Sequence, residues 1–143
     1  MMKNAIVTVK GTQIVDGNEE ILELTSEARY GIKDGEILIS YDESELLGVK
    51  EVKTMLRCKL PDTVIIKRSG AIESRLVIQK DKTNSCLYNT GYGELLLDIT
   101  GREFRQCLDE NGGSLYMSYD IDVNGKILSE NIIEITVMLE RKE

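Results

Sequence analysis

Residues Leu115 to Leu139 read LYMSYDIDVNGKILSENIIEITVML. Leu115, Met117, Tyr119, Ile121 and Val123 occupy every second position, with Tyr116, Ser118, Asp120 and Asp122 between them. After Asn124-Gly125 the alternation resumes at Ile127 and continues through Ile133, Ile135, Val137 and Leu139, against Glu134, Thr136 and Glu140. A period of two marks a strand with one buried face. Asn-Gly tolerates the positive φ that a two-residue type I′ turn demands at both centres. The stretch therefore predicts an antiparallel hairpin, and its apolar face must be covered by the rest of the chain.

Working outward, the same pattern repeats. Ala5–Val15 and Glu20–Tyr30 flank a turn at Asp16-Gly17-Asn18. Val7, Val9, Gly11 and Gln13 share one face of the first; Leu22, Leu24, Ser26, Ala28 and Tyr30 share one face of the second. Lys33-Asp34-Gly35 turns into a short strand, Glu36–Tyr41. Asp42–Gly48 reads as a connection, with Leu46 and Leu47 closing one end of the core. Val49–Leu60 places Val52, Thr54, Leu56, Cys58 and Leu60 inside, and Lys53, Met55, Arg57 and Lys59 outside. Pro61-Asp62 breaks that strand. Thr63–Ser69 carries Val64, Ile66 and Arg68 on one face, and Ser74–Gln79 carries Leu76 and Ile78. Lys80–Asn84 reads as a loop. Cys86, Tyr88 and Thr90 align before Gly91-Tyr92-Gly93, and Leu95, Leu97 and Ile99 align after it. Residues 102–110 fit two periods: Phe104, Gln106 and Leu108 make a strand face, while Phe104, Cys107 and Leu108 make the stripe of a short helix. The flanking strands favour the strand.

About nine or ten strands joined by short turns must pair antiparallel, because parallel neighbours need crossovers of a dozen or more residues. No long amphipathic helix is available to cover an open sheet, so closure hides the apolar face and the edges together. The expectation is an all-β chain forming one domain over residues 1–143, a single meandering antiparallel β-barrel of about eight to ten strands. A two-sheet sandwich is the second choice.

The totals narrow the function. A chain of 143 residues buries roughly 68–70% of its unfolded surface and needs no disulfide or metal to fold. Eighteen Lys and Arg against 25 Asp and Glu give a net charge of −7, and no basic stripe offsets it, which argues against nucleic acid as a partner. The absence of histidine removes Ser-His and Cys-His nucleophile pairs and histidine metal sites. Cys58, Cys86 and Cys107 are widely spaced, without C-x-x-C, so they imply neither a disulfide framework nor zinc, and they fit a reducing compartment. Met1–Lys10 has too short an apolar run for a signal peptide, and no stretch approaches a membrane span. The expected setting is the cytoplasm, with no membrane partner and no cofactor; the oligomeric state is left open.

With these residues in place the chain resembles the YwiB-like family of small bacterial domains of unknown function. The resemblance rests on Gln13, Tyr41, Glu43-Ser44, Leu47-Gly48, Thr54, Ile66, Arg68, Gly70, Tyr88-Asn89-Thr90, Tyr92-Gly93, Thr100 and Tyr119. Ala28 departs from the glycine expected of the family. The resemblance implies a calycin-type, lipocalin-like barrel and no established activity.

Arg68 is the residue that carries most meaning, because it shares the face of Val64 and Ile66. A guanidinium in an apolar interior requires a partner. That partner is an anionic ligand gripped by the planar fork, or an internal carboxylate such as Glu43, or water at the barrel rim. Gln13, Tyr41, Thr54, Tyr88, Thr90 and Tyr119 fall on inward faces as well. They either line a polar pocket with Arg68 and Glu43 or are core residues whose polar tips find backbone partners. The leading reading is a non-enzymatic binder of a small anionic or amphipathic molecule. The alternatives are a histidine-free enzyme using Glu43 or a tyrosine with Arg68, and a protein-interaction module. Asp120–Gly125 imitates the start of an EF-hand loop, but the twelfth position is Asn131 rather than Glu, and the stretch belongs to a strand. Thr90–Gly93 is glycine-rich without a following helix, so it reads as a strand bend rather than a phosphate cradle. No carboxylate pair stands out as acid and base, and no metal site is expected.

Overall fold

The computed structural model describes residues 2–42, 51–59, 61–70, 73–89 (side chains to residue 87) and 93–140. The expected plug at Leu46-Leu47 lies outside them. The strands are β1 (Lys3–Val15), β2 (Asn18–Lys33), β3 (Glu36–Asp42), β4 (Val52–Lys59), β5 (Thr63–Gly70), β6 (Ser74–Gln79), β7 (Thr83–Asn89), β8 (Glu94–Asp109), β9 (Gly112–Val123) and β10 (Lys126–Leu139). They form one 10-stranded sheet in the order β6-β5-β4-β3-β2-β1-β10-β9-β8-β7. The ladders are all antiparallel, and the sheet curls into a nearly closed barrel. No helix occurs among the described residues.

The turns follow from their residues. Asp16-Gly17, Asp34-Gly35 and Asn124-Gly125 all have positive φ at both positions, the type I′ geometry that matches strand twist. The strands follow from alternation. β4 is buried at Val52, Thr54, Leu56 and Cys58 and exposed at Lys53, Met55, Arg57 and Lys59. A slip of one residue would bury Lys53, Arg57 and Lys59 together, so the register is strongly set.

Rows of inward side chains fill the barrel. Tyr30, Ile39, Leu56, Ile66 and Leu76 are successive cross-strand partners on β2 to β6, and all are buried. Val7, Val9, Leu115, Met117, Ile135 and Val137 supply the opposite wall. Tyr30 Oη donates to the carbonyl oxygen of Asp109 at 2.8 Å. That bond ties β2 to β8 across one end of the barrel.

Two bulges correct the sequence reading. In β8 the register shifts between Gly101 and Glu103, so Arg102 is an extra residue. Leu97 and Ile99 face inward before it, Phe104 and Leu108 after it. Cys107, the residue that suggested a helical stripe, is exposed on the outer face, and the alternative helix near 102–110 is absent: the segment is strand. In β10 the register shifts between Ile127 and Ser129. Ile127, expected inward, pairs with Asp122 on the outer face, and Ile127 and Leu128 are 57% and 52% exposed. Ser129 and Asn131 turn inward instead. The loop expected over Lys80–Asn84 is shorter, because β7 begins at Thr83.

The seam lies between β6 and β7. The turn after β6 docks on β8 through a parallel bridge, Lys80 to Gly101. Asp81 N donates to Gly101 O at 3.0 Å, and Gly101 N donates to Lys82 O at 3.1 Å. A Cβ on residue 101 would lie 2.1 Å from Gln79 O, so only glycine permits this approach. Gly101→Ala should cost about 3 kcal/mol, the upper range for forced overpacking, read as a lower urea midpoint. Gly11→Ala meets nothing within 4 Å and should leave the midpoint unchanged or slightly raised.

Candidate functional site

Above the aliphatic rows the barrel interior becomes polar. Tyr41 pairs with Thr54, Thr54 with Arg68, and Arg68 with Ser74, on β3, β4, β5 and β6. Cross-strand partners project from the same face, so these four form one row. Tyr41, Thr54 and Ser74 are buried, while Arg68 is half-buried and engaged in an interaction of its own. On the facing wall Gln13 pairs with Asn131, and Asn131 with Tyr119. Asn131 Nδ2 donates to Ser129 Oγ at 3.0 Å, a contact buried within β10.

An open pocket of about 140 Å³ lies at the mouth between the walls, lined by Gln13, Glu20, Leu22, Arg68, Tyr119 and Asn131 among others. Hollows of about 320, 360, 390 and 410 Å³ lie around the Tyr30 end and on outer grooves of the barrel. They are larger, but none brings Arg68 against inward polar groups.

The structure thus brings together Arg68, Tyr119 and Gln13 at the pocket, with Thr54 and Tyr41 in the same row as Arg68. Gln13 keeps inward parity but is exposed, because β1 runs past the rim there; it stands at the mouth rather than in the core. Tyr88 is a β7 residue paired with Leu95, and its side chain lies outside the described residues, as do Glu43 and Thr90. The sequence reading missed Asn131, Ser129 and Ser74. Each was visible in principle by counting back in twos, from Ile133 or from Leu76.

A second polar feature sits at the β8 bulge. Arg102 Nε donates to Asp120 Oδ2 at 2.7 Å, and a second guanidinium nitrogen reaches the same oxygen. This hydrogen bond, with the charge of Asp120, raises the Arg102 pKa. The bulge aims the extra residue at its neighbour's carboxylate, as bulges commonly do. Asp120–Gly125 itself is the end of β9 and its turn. Among the described residues no group of three or more Cys, Asp or Glu side chains is placed to hold a metal ion.

The cysteines are free and differ in environment: Cys58 is buried, Cys86 half-buried and Cys107 exposed. Burial pushes the Cys58 thiol from 9.0 up to about 12, which suppresses the nucleophilic thiolate. Burial, followed by the charge of Asp98, also raises Cys86.

A histidine-free, ten-stranded antiparallel barrel defines a class: small β-barrel proteins. The family model for a domain of unknown function (DUF1934) matches residues 7–135, and the chain belongs to that family. It is 28% identical over 125 residues to an uncharacterised β-barrel protein, YwiB, of Bacillus subtilis (strain 168), covering 87% of this chain and 84% of that protein. The crystal structure of the ywiB protein from Bacillus subtilis superposes with a TM-score of 0.85 at 26% identity, covering 98% of this chain and 94% of that one. Among the described residues no helix is long and apolar enough to cross a membrane.

Iodoacetamide should label Cys107 first and Cys86 more slowly, and should reach Cys58 only on unfolding, as peptide mapping would show. Tyr30 is raised from 10.0 to about 12, by burial first and then by Cys58 and Asp109. Both groups are raised acids, so the folded state favours their neutral forms. Their contribution is complete below the unfolded values and drains away as pH rises from 9.0 towards about 12. Melting temperature should fall across that window, and a profile flat to pH 12 would contradict these assignments.

Proposed function

We propose that this protein is a non-enzymatic binder of a small anionic molecule, held at the polar end of the barrel with Arg68 as its charge anchor. The observation that supports the reading is the open pocket of about 140 Å³ where Arg68, Tyr119 and Asn131 meet. Arginine suits this role because its planar fork matches a carboxylate or phosphate with two parallel hydrogen bonds. The half-buried setting strengthens those bonds relative to water. The size is informative. Drug-sized ligands occupy roughly 300–1,000 Å³, whereas an apolar cavity of about 150 Å³ takes benzene. The part of the ligand held in the pocket is therefore small, on the order of six non-hydrogen atoms. The chain's lack of histidine and of an evident acid–base pair favours binding over catalysis. Its net charge of −7 disfavours nucleic acid as the anion.

The test is a dye-monitored melting screen against phosphate, sulfate and small mono- and dicarboxylates. An anion present at 100 times its Kd should stabilise the fold by about 2.7 kcal/mol. Arg68→Met should keep the fold, as judged by circular dichroism, and lose the shift. Absence of any shift across the panel, or an equal shift in Arg68→Met, would refute the reading.

A further inference from the structure

Polar inside and aliphatic outside is the reverse of what burial rewards, and the β10 bulge does both at one place. Ser129 and Asn131 are buried, while Ile127 and Leu128 beside them stand in solvent. The exposed pair is not isolated. On the outer face Ile127, Ile14 and Ile132, with Tyr116, wall a hollow of about 390 Å³. Aliphatic surface gathered in one place and rimmed by polar residues marks an interaction site.

The charge on this face has one sign. Two neighbouring outward rows cross it. One runs Glu19, Ile14, Glu130, Asp120 and Thr100 over β2, β1, β10, β9 and β8. The other runs Ile127, Asp122, Asp98 and Ser85 over β10, β9, β8 and β7. Their charged members are all carboxylates, and neither row has a lysine or arginine. Arg102, the extra residue of the β8 bulge, is committed to Asp120. Glu130, Asp122 and Asp98 make no ion pair among the described residues. Asp122 and Asp98 are direct cross-strand partners, a like-charge pairing that destabilises a sheet. Asp122 Oδ1 is also enclosed without a hydrogen-bond partner.

We propose that this outer hollow docks a basic amphipathic segment of a partner protein, with an aliphatic side chain seated between Ile14, Ile127 and Ile132 and lysine or arginine set against Glu130, Asp122 and Asp98. Charge complementarity selects this occupant. A second copy of the chain would bring two carboxylate-bearing faces together at a net charge of −7 each, and nucleic acid meets the same repulsion. A cationic segment instead relieves the opposition of Asp98 and Asp122, and the alkyl stems of its lysines or arginines extend the apolar cover. The surface lies on the outside of the barrel, so it does not depend on the pocket beside Arg68.

The test is fluorescence anisotropy of a short labelled peptide of leucines and lysines, titrated with the full chain at low and at physiological salt. Companion peptides carry glutamate for lysine, or serine for leucine. The leucine–lysine peptide should bind, lose affinity as salt rises, and bind at least roughly tenfold more tightly than either companion. Ile127→Ser should weaken it roughly tenfold by removing one aliphatic contact. Met138→Ser, at an exposed residue near the opposite end of β10, should leave it unchanged. Asp122→Asn should weaken binding and raise the melting temperature of the free chain, because the repulsion from Asp98 is gone. Equal binding by either companion peptide, or by the Ile127→Ser or Asp122→Asn variant, would overturn the proposal, as would no binding by any peptide. A concentration-dependent dimer in sedimentation that Ile127→Ser dissolves would give the hollow to a second copy and overturn it as well.

Discussion

Every strand here has one apolar face, and the described fold has no helix to cover it. An open sheet would leave that face in water, where each buried Val, Leu or Ile side chain would forfeit roughly 1.5–3 kcal/mol. Curling the sheet on itself is the remaining solution, and it settles the other features. The hairpins must twist tightly, hence the Asp-Gly and Asn-Gly turns. The two edge strands must meet, hence the glycine at position 101, against which the turn after β6 can dock. The far end must be stopped, hence Tyr30, whose hydroxyl reaches Asp109.

The polar row departs from this economy. Ile39, Leu56, Ile66 and Leu76 form a continuous aliphatic band, and one step along each strand pair the band gives way to Tyr41, Thr54, Arg68 and Ser74. Replacing buried polar networks by well-packed apolar side chains is often neutral or stabilising. A row in which Thr54 Oγ1 and Ser74 Oγ lack a hydrogen-bond partner therefore weakens the barrel for a reason that packing does not supply. Departures from local consistency of this kind concentrate at functional sites, and Arg68 belongs both to this row and to the lining of the pocket.

Much of this was legible in the sequence because period-two alternation and turn chemistry are local. β4 could be read residue by residue, and the three glycine turns fell where Asp-Gly and Asn-Gly stood. The bulges were not legible. One inserted residue reverses which side chains face inward, and nothing in the composition around Arg102 or Leu128 announces it. The bulge in β8 reversed the inward parity between Ile99 and Phe104, and that in β10 misplaced Ile127; Ser129 and Asn131 kept the parity of Ile133 and were passed over because they are polar. Gln13 was assigned the right face but the wrong depth, because alternation says nothing about where a strand passes the rim. Tyr30 looked like an ordinary inward residue, since its partner is 79 residues away in sequence.

The order of strands around the barrel has a kinetic side. Apart from β1 with β10, every full ladder joins strands adjacent in the chain. Hairpins of this kind form in microseconds. The β1–β10 ladder instead unites Ala5 with Leu139 and Ile14 with Glu130, so the whole intervening chain must be looped before it rewards the closure. Loop entropy rises only slowly with length, but it is lost before any of the ten paired positions contribute. Joining two meanders along this one line makes the ten-stranded sheet, and the interior is enclosed only when the turn after β6 also docks on β8 at Gly101.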